Sequence, residues 1–216
     1  MSLPIIILTG ATACGKGTLG RKLASDFGFY HLSMGDARRS YWQAIMGPIP
    51  GMPDDINKYV VEHKEIPAEL LARYNPVPVV LLYHNFKVNN KRTIVLASDI
   101  LREKLDEARA EDFIASFSGL TIVIECPRDV AKKRYIQRSR GNEDAARFET
   151  RMEKTDEILP PFIELMAGYG TVVYSVNDDT MTIEDAYNVL LSQLYNTSIF
   201  LTLAQRTEYI GSNPGN

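Results

Sequence analysis

The residue types that most clearly indicate chemistry stand near the amino terminus, in the stretch GATACGKGT from Gly10 to Thr18. Its glycines allow backbone N–H groups to converge on an anion, because no Cβ stands in the way. Lys16 would reach the β- and γ-phosphates of a nucleotide, and Thr18 would offer its hydroxyl to Mg²⁺. The pattern is that of a phosphate-binding loop, except that Gly17 stands between the lysine and the threonine. The residues predicted to contact the nucleotide are Gly10, Ala13, Cys14, Gly15, Lys16, Gly17, Thr18 and Leu19.

Such a loop needs a strand before it and a helix after it, and the hydrophobic pattern predicts both. Short apolar runs predict strands at residues 4–8, 29–32, 93–97, 120–126 and 171–176. Most of these runs are continuous and not alternating, which favours a parallel sheet covered on both faces. Helical patterns fall between them, at residues 16–27, 99–117, 130–138, 142–166 and 183–195. The alternation of strands and helices predicts an α/β fold with a doubly wound five-stranded parallel sheet.

Residues 41–90 interrupt this alternation with several proline-marked starts, so we predict a helical insert between the second and third strands. The core domain would then comprise residues 1–40 and 91–196. Residues 197–216 are predicted to form a C-terminal tail that frays beyond Thr207. The apolar residues of that tail, at 199–203, either pack on the core or meet a partner.

Composition restricts the class of protein. The chain has 216 residues, 45% of them hydrophobic and 24% charged, and a net charge of −3. This balance gives no electrostatic reason to expect a nucleic-acid partner. No apolar run reaches the ~18 residues of a membrane span, and the amino terminus lacks the pattern of a signal peptide. Two cysteines, Cys14 and Cys126, make no disulfide framework, and we expect Cys14 to be a small residue that fits the loop. We predict a cytoplasmic monomer without nucleic-acid or membrane partners.

A second motif follows the loop. The segment HLSMGDARR, His31 to Arg39, together with the GKGT of the first motif, resembles the nucleoside monophosphate kinases, among them adenylate kinases and UMP/CMP kinases. The likeness continues in order to Met166 and is weakest across the insert. It implies a P-loop fold in which ATP·Mg²⁺ lies on the loop and a nucleoside monophosphate lies under the insert. In-line transfer of the γ-phosphoryl group between them needs positioning and positive charge.

The resemblance assigns roles to several arginines. Arg39, four residues after the glycine of the second motif, would hold the acceptor phosphate. Arg134 and Arg138 follow the fourth strand and share one helix face, since they are four residues apart. Arg140 and Arg151 stand eleven residues apart, as a second pair does in the family. With Lys16, these two pairs are the predicted catalytic residues.

Around these pairs the resemblance has further implications. It implies that the helix carrying Arg151 ends at Pro160-Pro161. Only Ser139 separates Arg138 from Arg140, so the lid that the family has between the pairs is reduced to residues 138–142. A lid this short would exclude water poorly and allow some ATP hydrolysis. Arg128 and Arg147 match no family position and are predicted to be surface charges.

The third strand departs from the family, in which it ends in DGFPR. Here Ala97 is followed by Ser98-Asp99-Ile100-Leu101-Arg102. If Arg102 replaces the family arginine, Ser98 stands where the aspartate should be; if Asp99 replaces the aspartate, Glu103 replaces the arginine. A shift of one residue would let both act, with Asp99 holding Mg²⁺ through water and Arg102 binding the acceptor.

The acceptor base is open at this point. Met34, before Gly35, replaces the threonine of adenylate kinases and the alanine of UMP/CMP kinases, and a thioether donates no hydrogen bond. The Val-Pro that lines the base corresponds to Ile66-Pro67 or to Val77-Pro78, and spacing to the third strand favours Val77. The residues His31-Leu32-Ser33 and the absence of that threonine favour a pyrimidine base. The predicted acceptor-binding residues are Met34, Gly35, Arg39, Val77 and Arg102.

Three functions are therefore weighed. The first is a phosphotransferase that moves the γ-phosphoryl group of ATP to a nucleoside monophosphate, UMP or CMP before AMP. The second keeps the loop but uses another small-molecule acceptor, which Met34 and the altered third strand favour. The third is a nucleotide-binding module or weak ATPase, favoured by the short lid. The arginine pairs favour the first.

Overall fold

A computed structural model describes residues 5–33, 94–97, 119–138 and 144–211. The strands are β1 (Ile5–Gly10), β2 (Tyr30–Ser33), β3 (Ile94–Ala97), β4 (Leu120–Glu125) and β5 (Thr171–Val176). The helices are α1 (Lys16–Phe27), α2 (Arg128–Gln137), α3 (Ala145–Tyr169), α4 (Ile183–Tyr195) and α5 (Ser198–Gly211). None of these helices is long and apolar enough to cross a membrane.

The five strands form one parallel sheet in the order β2-β3-β1-β4-β5. In the centre, Ile7 of β1 lies beside Leu96 on one side and Thr121 on the other. Every residue of β1 is buried, because layers cover both faces of the sheet, as the continuous apolar run predicts. The α/β fold with a five-stranded parallel sheet is thereby confirmed.

The order of strands and helices explains where a ligand can bind. β1 is followed directly by the loop and α1, β4 by α2, and β5 by α4. All strands point the same way, so these three connections leave the carboxyl edge of the sheet side by side. In open parallel sheets, ligands bind at that edge. The fold therefore brings the phosphate loop together with the segments that follow β4 and β5.

The helix containing Arg151 does not end where the resemblance implied. The predicted end at Pro160-Pro161 is wrong, since α3 continues through both prolines to Tyr169; the helical pattern at 142–166 predicted its extent more closely. Each proline removes one backbone donor from the helix. Beyond them, Phe162 and Met166 are buried, and α3 packs against β5. Burial of this apolar stripe outweighs the lost hydrogen bonds.

The C-terminal segment is a helix that packs on the core. Phe200 and Leu203 of α5 are buried, and the ring of Phe200 lies 5.0 Å from that of Phe27 and 6.4 Å from that of Phe29. Of the two alternatives for residues 199–203, packing on the core is therefore the one observed. The expected fraying beyond Thr207 is corrected as far as Gly211, where α5 ends; residues 212–216 lie outside the described residues.

The predicted insert at 41–90, the predicted helix at 99–117 and residues 139–142 of the lid lie outside the described residues.

Candidate active site

The phosphate loop, residues 10–18, turns sharply at three positions with positive φ: Gly10 at 136°, Ala13 at 62° and Gly15 at 105°. A Cβ on Gly10 would collide with the carbonyl oxygen of Ile124, and one on Gly15 would collide with the side-chain amide of Asn177. Glycine is required at both positions by conformation and by space. Ala13 adopts left-handed backbone in spite of its side chain, and such conformations concentrate at functional sites.

The amino terminus of α1 faces the same loop. Thr18 and Leu19 each donate a backbone hydrogen bond of 3.0 Å to the Gly15 carbonyl, which closes the first turn. Gly15 is the N-cap and supplies no side-chain oxygen to the free N–H groups of that turn. A helix start of this kind, with its partial positive charge, favours a bound phosphate.

Lys16 folds back over the loop. Its ammonium group donates to the carbonyl oxygens of Gly10 at 2.7 Å and Ala11 at 2.6 Å, and lies 3.7 Å from the Cys14 sulfur. These bonds hold the positive charge at the mouth of the loop. A phosphate oxygen offers a charged acceptor to the same donors, and such charge-assisted bonds are stronger than those to neutral carbonyls.

One cavity of about 480 Å³ joins the loop to more distant elements. Lys16 and Thr18 line it. So do three arginines, which we call the arginine wall: Arg134, Arg138 and Arg151. The structure thus brings together four of the five predicted catalytic residues, from α1, α2 and α3. Their roles in transfer stay predictions.

Arg134 is engaged with the connection that follows β5. Its guanidinium donates to the carbonyl oxygen of Asp178 at 2.6 Å and to that of Asn177 at 3.3 Å. It also approaches the Cys126 sulfur at 3.6 Å. These contacts hold the β5–α4 connection against α2 at the edge of the cavity. Arg134 therefore supports the site through this connection.

Asn177 is a site residue that the sequence analysis did not identify. Only 8% exposed, it donates from its side-chain amide to the Cys14 carbonyl at 2.7 Å and accepts from Arg134 at 3.4 Å. Its backbone N–H donates to the Glu125 carbonyl at 2.8 Å. The available signal was its position directly after β5, at the carboxyl edge of the sheet. The same connection and α4 add three apolar cavity residues, Met181, Ile183 and Ala186.

The two cysteines differ in setting from a reactive thiol. Burial raises the pKa of the Cys126 thiol to about 11, although the nearby Arg134 guanidinium acts in the opposite direction. At neutral pH this thiol is protonated and is a poor nucleophile. Cys14 is buried inside the loop, in keeping with a small residue that fits there. Within the part of the chain that is described, no group of three histidine, cysteine or acidic residues could hold a metal ion.

The residues do fit a magnesium ion brought by a nucleotide. Thr18 lines the cavity beside Lys16, and Mg²⁺ usually takes one or two protein oxygens together with phosphate and water. The other predicted metal residue, Asp99, lies outside the described residues, as do the predicted acceptor and lid residues Met34, Gly35, Arg39, Val77, Arg102 and Arg140.

Comparison with known proteins shows that the chain is similar in sequence to nucleotide kinases. No family model matches the chain. It is 27% identical over 188 residues to a uridylate kinase of Saccharomyces cerevisiae, covering 85% of this chain and 86% of that one. It is also 27% identical over 170 residues to UMP-CMP kinase 2 of Oryza sativa subsp. japonica, covering 78% of this chain and 65% of the relative.

A shorter sequence match and a structural match are also to kinases. A cytidylate kinase of Agrobacterium fabrum is 38% identical over 65 residues, or 30% of each chain. A solved gluconokinase from Sinorhizobium meliloti 1021 superimposes with a TM-score of 0.50 at 14% identity, over 99% of this chain and all of that one; at that identity the likeness concerns the fold alone. The relatives confirm the resemblance that the two motifs indicated: over most of its length the chain is nucleoside monophosphate kinase-like, and the expectation of a phosphotransferase is confirmed with it.

Proposed function

We propose that this protein transfers the γ-phosphoryl group of ATP·Mg²⁺ to a nucleoside monophosphate, giving ADP and a nucleoside diphosphate. The observation that carries the proposal is the convergence of Lys16, Arg138 and Arg151 with the start of α1 on one cavity. An acceptor phosphate oxygen attacks the γ-phosphorus, and the oxygen bridging to the β-phosphorus leaves on ADP. Positive charge on several sides is what such a transfer requires.

Each described residue has a distinct part in this proposal. The phosphate loop and Lys16 would hold the β- and γ-phosphates, and Thr18 would hold Mg²⁺ through its hydroxyl. The ion would supply positive charge to the phosphate oxygens. Arg138 and Arg151, which line the same cavity, would balance the charge on the transferred group. Arg134 keeps the β5–α4 connection in place through the carbonyls of Asn177 and Asp178, and its positive charge would add to that of the other two arginines around the transferred group.

That connection would also seat the base of the nucleotide donor. Met181, Ile183 and Ala186 supply apolar surface to the cavity, and a flat base gains free energy by leaving water for such a surface. Asn177, which joins this surface to the Cys14 carbonyl, keeps it at a fixed distance from the loop. The base would thus bind to the β5–α4 connection and the phosphates to the loop, and Asn177 links the connection to the loop.

For the acceptor we propose UMP or CMP. Support comes from several relatives named uridylate, UMP-CMP and cytidylate kinase, which stand beside one adenylate kinase matched over 40 residues, and from Met34 in place of the adenylate-kinase threonine. Arg39 and Arg102 would bind the acceptor phosphate, Val77 would line its base, and Arg140 would join the arginines around the transferred group. Asp99 would hold Mg²⁺ through water.

The decisive experiment mixes the protein with ATP and Mg²⁺ and, separately, AMP, GMP, CMP, UMP and dTMP, and measures ADP and each diphosphate. We expect stoichiometric diphosphate from UMP or CMP. ADP without diphosphate would contradict the proposal in favour of another acceptor or an ATPase. ATP binding without turnover would contradict it in favour of a binding module.

A matched variant tests the acceptor site. Arg39→Ala should raise the KM of the nucleoside monophosphate more than that of ATP, since only the acceptor phosphate is proposed to contact Arg39. Equal increases in both KM values would remove Arg39 from that role.

A further inference from the structure

Two of the wall arginines share one aromatic ring. The guanidinium carbon of Arg138 lies 4.8 Å from the centroid of the Tyr135 ring, and that of Arg151 lies 5.7 Å from it. Both distances fall within the ~6 Å at which a cation and an aromatic face attract each other. Arg138 stands at the end of α2 and Arg151 in the second turn of α3. The ring therefore connects cations from two helices.

The ring itself is held firmly. Tyr135 is 1% exposed and packs against Phe148, with ring centroids 5.5 Å apart. Ala131 and Met152 belong to the same buried cluster, so α2 and α3 contribute to it equally. A buried aromatic side chain packed on two helices has few rotamers available. Its position is therefore fixed relative to both.

Ion pairs outside this cluster hold the two helices in register. Glu149 of α3 accepts from Arg128 at 2.6 Å and from Lys132 at 2.7 Å, both on α2. Arg128 also donates to Asp156 at 3.0 Å. Glu149 and Asp156 thus pair with the cations on the outer surface of the two helices. Arg138 and Arg151 are the residues beside Tyr135 that line the cavity. The pair faces the cavity that holds the phosphate loop.

Two guanidinium groups near each other repel, and they would separate if nothing opposed that repulsion. The negative face of an aromatic ring opposes it, and a fixed ring also limits the rotamers of both arginines. Charges that are already in place do not have to be reorganised when a phosphoryl group is transferred. The ring thus fixes the positions of the two guanidinium groups, as the glycines fix the shape of the phosphate loop.

We propose that Tyr135 is a positioning residue that holds Arg138 and Arg151 together at the site of phosphoryl transfer. This rests on the proposed function, in which both arginines act on the transferred group. Tyr135 does not touch the substrate. It acts through the two guanidinium groups, and its aromatic ring, not its hydroxyl, is the part that matters.

The test compares Tyr135→Leu with Tyr135→Phe in the diphosphate assay. Loss of the ring should lower kcat by roughly ten- to thirty-fold, with the KM of ATP changed by less than about threefold. The phenylalanine variant should stay within about twofold of the parent, because the ring is retained. Equal kcat losses in both variants would overturn the proposal. Phe162→Leu serves as control for the loss of a buried aromatic of α3 that is not part of the Tyr135 cluster; its kcat should fall far less.

A double-mutant cycle shows whether the ring acts through the arginines. In an Arg151→Ala background, Tyr135→Leu should cost clearly less than it does in the parent, because one of its two partners is gone. Fully additive losses would overturn the proposal.

A spectroscopic measurement is independent of the activity. The side-chain NMR signals of Arg138 and Arg151 should be displaced by the ring current of Tyr135, in the parent and in Tyr135→Phe alike, and Tyr135→Leu should abolish the displacement. Ordinary positions in the parent would overturn the proposal, even if the leucine variant fails to fold. If the parent phosphorylates no monophosphate, the proposed function fails, whereas the NMR result still decides whether Tyr135 positions the two arginines.

Discussion

The phosphate loop and the arginine wall, which both line the cavity, are constructed differently. The phosphate loop is one contiguous stretch whose shape depends on its own glycines and on the carbonyls that Lys16 contacts. The arginine wall is assembled from α2 and α3 and is tied through Arg134 to the connection after β5. A local structure can be disabled by one substitution within it, whereas an assembled one fails in stages as its supports are removed.

The largest effect is expected on the loop side. Lys16→Met should lower kcat by at least a hundred- to a thousandfold, since it removes a positive charge from the reacting phosphates. The fold should be unaffected, because Lys16 donates to the carbonyls of Gly10 and Ala11 within its own loop. Steady-state kinetics with a thermal melt measure both. Unchanged turnover would contradict the assignment of the loop.

Gly15→Ala should also disable the loop, and it should cost stability. A non-glycine residue at φ 105° costs about 1–2 kcal/mol, and its Cβ would displace the Asn177 amide. We expect a lower melting temperature and a loss of ATP affinity. Gly17→Ala is the control for stability, because Gly17 lies within α1 and the added Cβ would lie 3.7 Å from the Arg21 guanidinium, an ordinary contact distance. A similar drop in melting temperature for both variants would contradict the conformational argument.

A smaller effect is expected when the connection between the loop and the arginine wall is cut. Asn177→Ala leaves the Cys14 carbonyl without its 2.7 Å donor, and such a loss costs about 1–3 kcal/mol. The KM of ATP should rise roughly five- to tenfold, with kcat less affected. Asn196→Ala, which removes an exposed amide bonded to Ser192 at the end of α4, should change neither. If both substitutions raised the KM of ATP equally, Asn177 would have no specific part in holding the loop.

The smallest effect concerns Cys126, beside Arg134. Its pKa in the fold, about 11, lies above the ordinary value of 9.0. A group with a raised pKa stabilises the fold below its unfolded pKa, and the contribution is lost as the pH rises through the folded value. Between pH 8 and 10.5 the parent should lose about 1 kcal/mol more stability than Cys126→Ala, after allowance for partial exposure. Urea unfolding at each pH measures this loss. If the stability of the two proteins had the same pH dependence, the Cys126 thiol would be in contact with water and its pKa would not be raised.

Sequence reasoning succeeded where structure is local. The loop, α1 and β5 could be predicted closely, because an apolar run, a set of glycines and a helical stripe each act within a few residues. The stop expected at Pro160-Pro161 failed because the packing of Phe162 and Met166 outweighs local propensity. Packing of this kind depends on which face of α3 meets the sheet.

The arginine wall could be predicted only through family resemblance, since spacing alone does not separate Arg138 from the surface Arg128. Asn177 was missed because its partner, Cys14, is 163 residues away in the chain. Tyr135 gave no signal either, because a tyrosine on an apolar helix face predicts core packing. Its second role exists only once α3 brings Arg151 to its ring.

The packing of α5 has a consequence for synthesis. Phe27 and Phe29 leave the ribosome early, but the ring that closes over them, Phe200, is made about 170 residues later. At ~5–20 residues per second, these aromatic side chains wait roughly ten to thirty seconds for their cover. During translation the nascent chain therefore exposes an aromatic surface that a chaperone can bind, and the domain is sealed only when its last helix emerges.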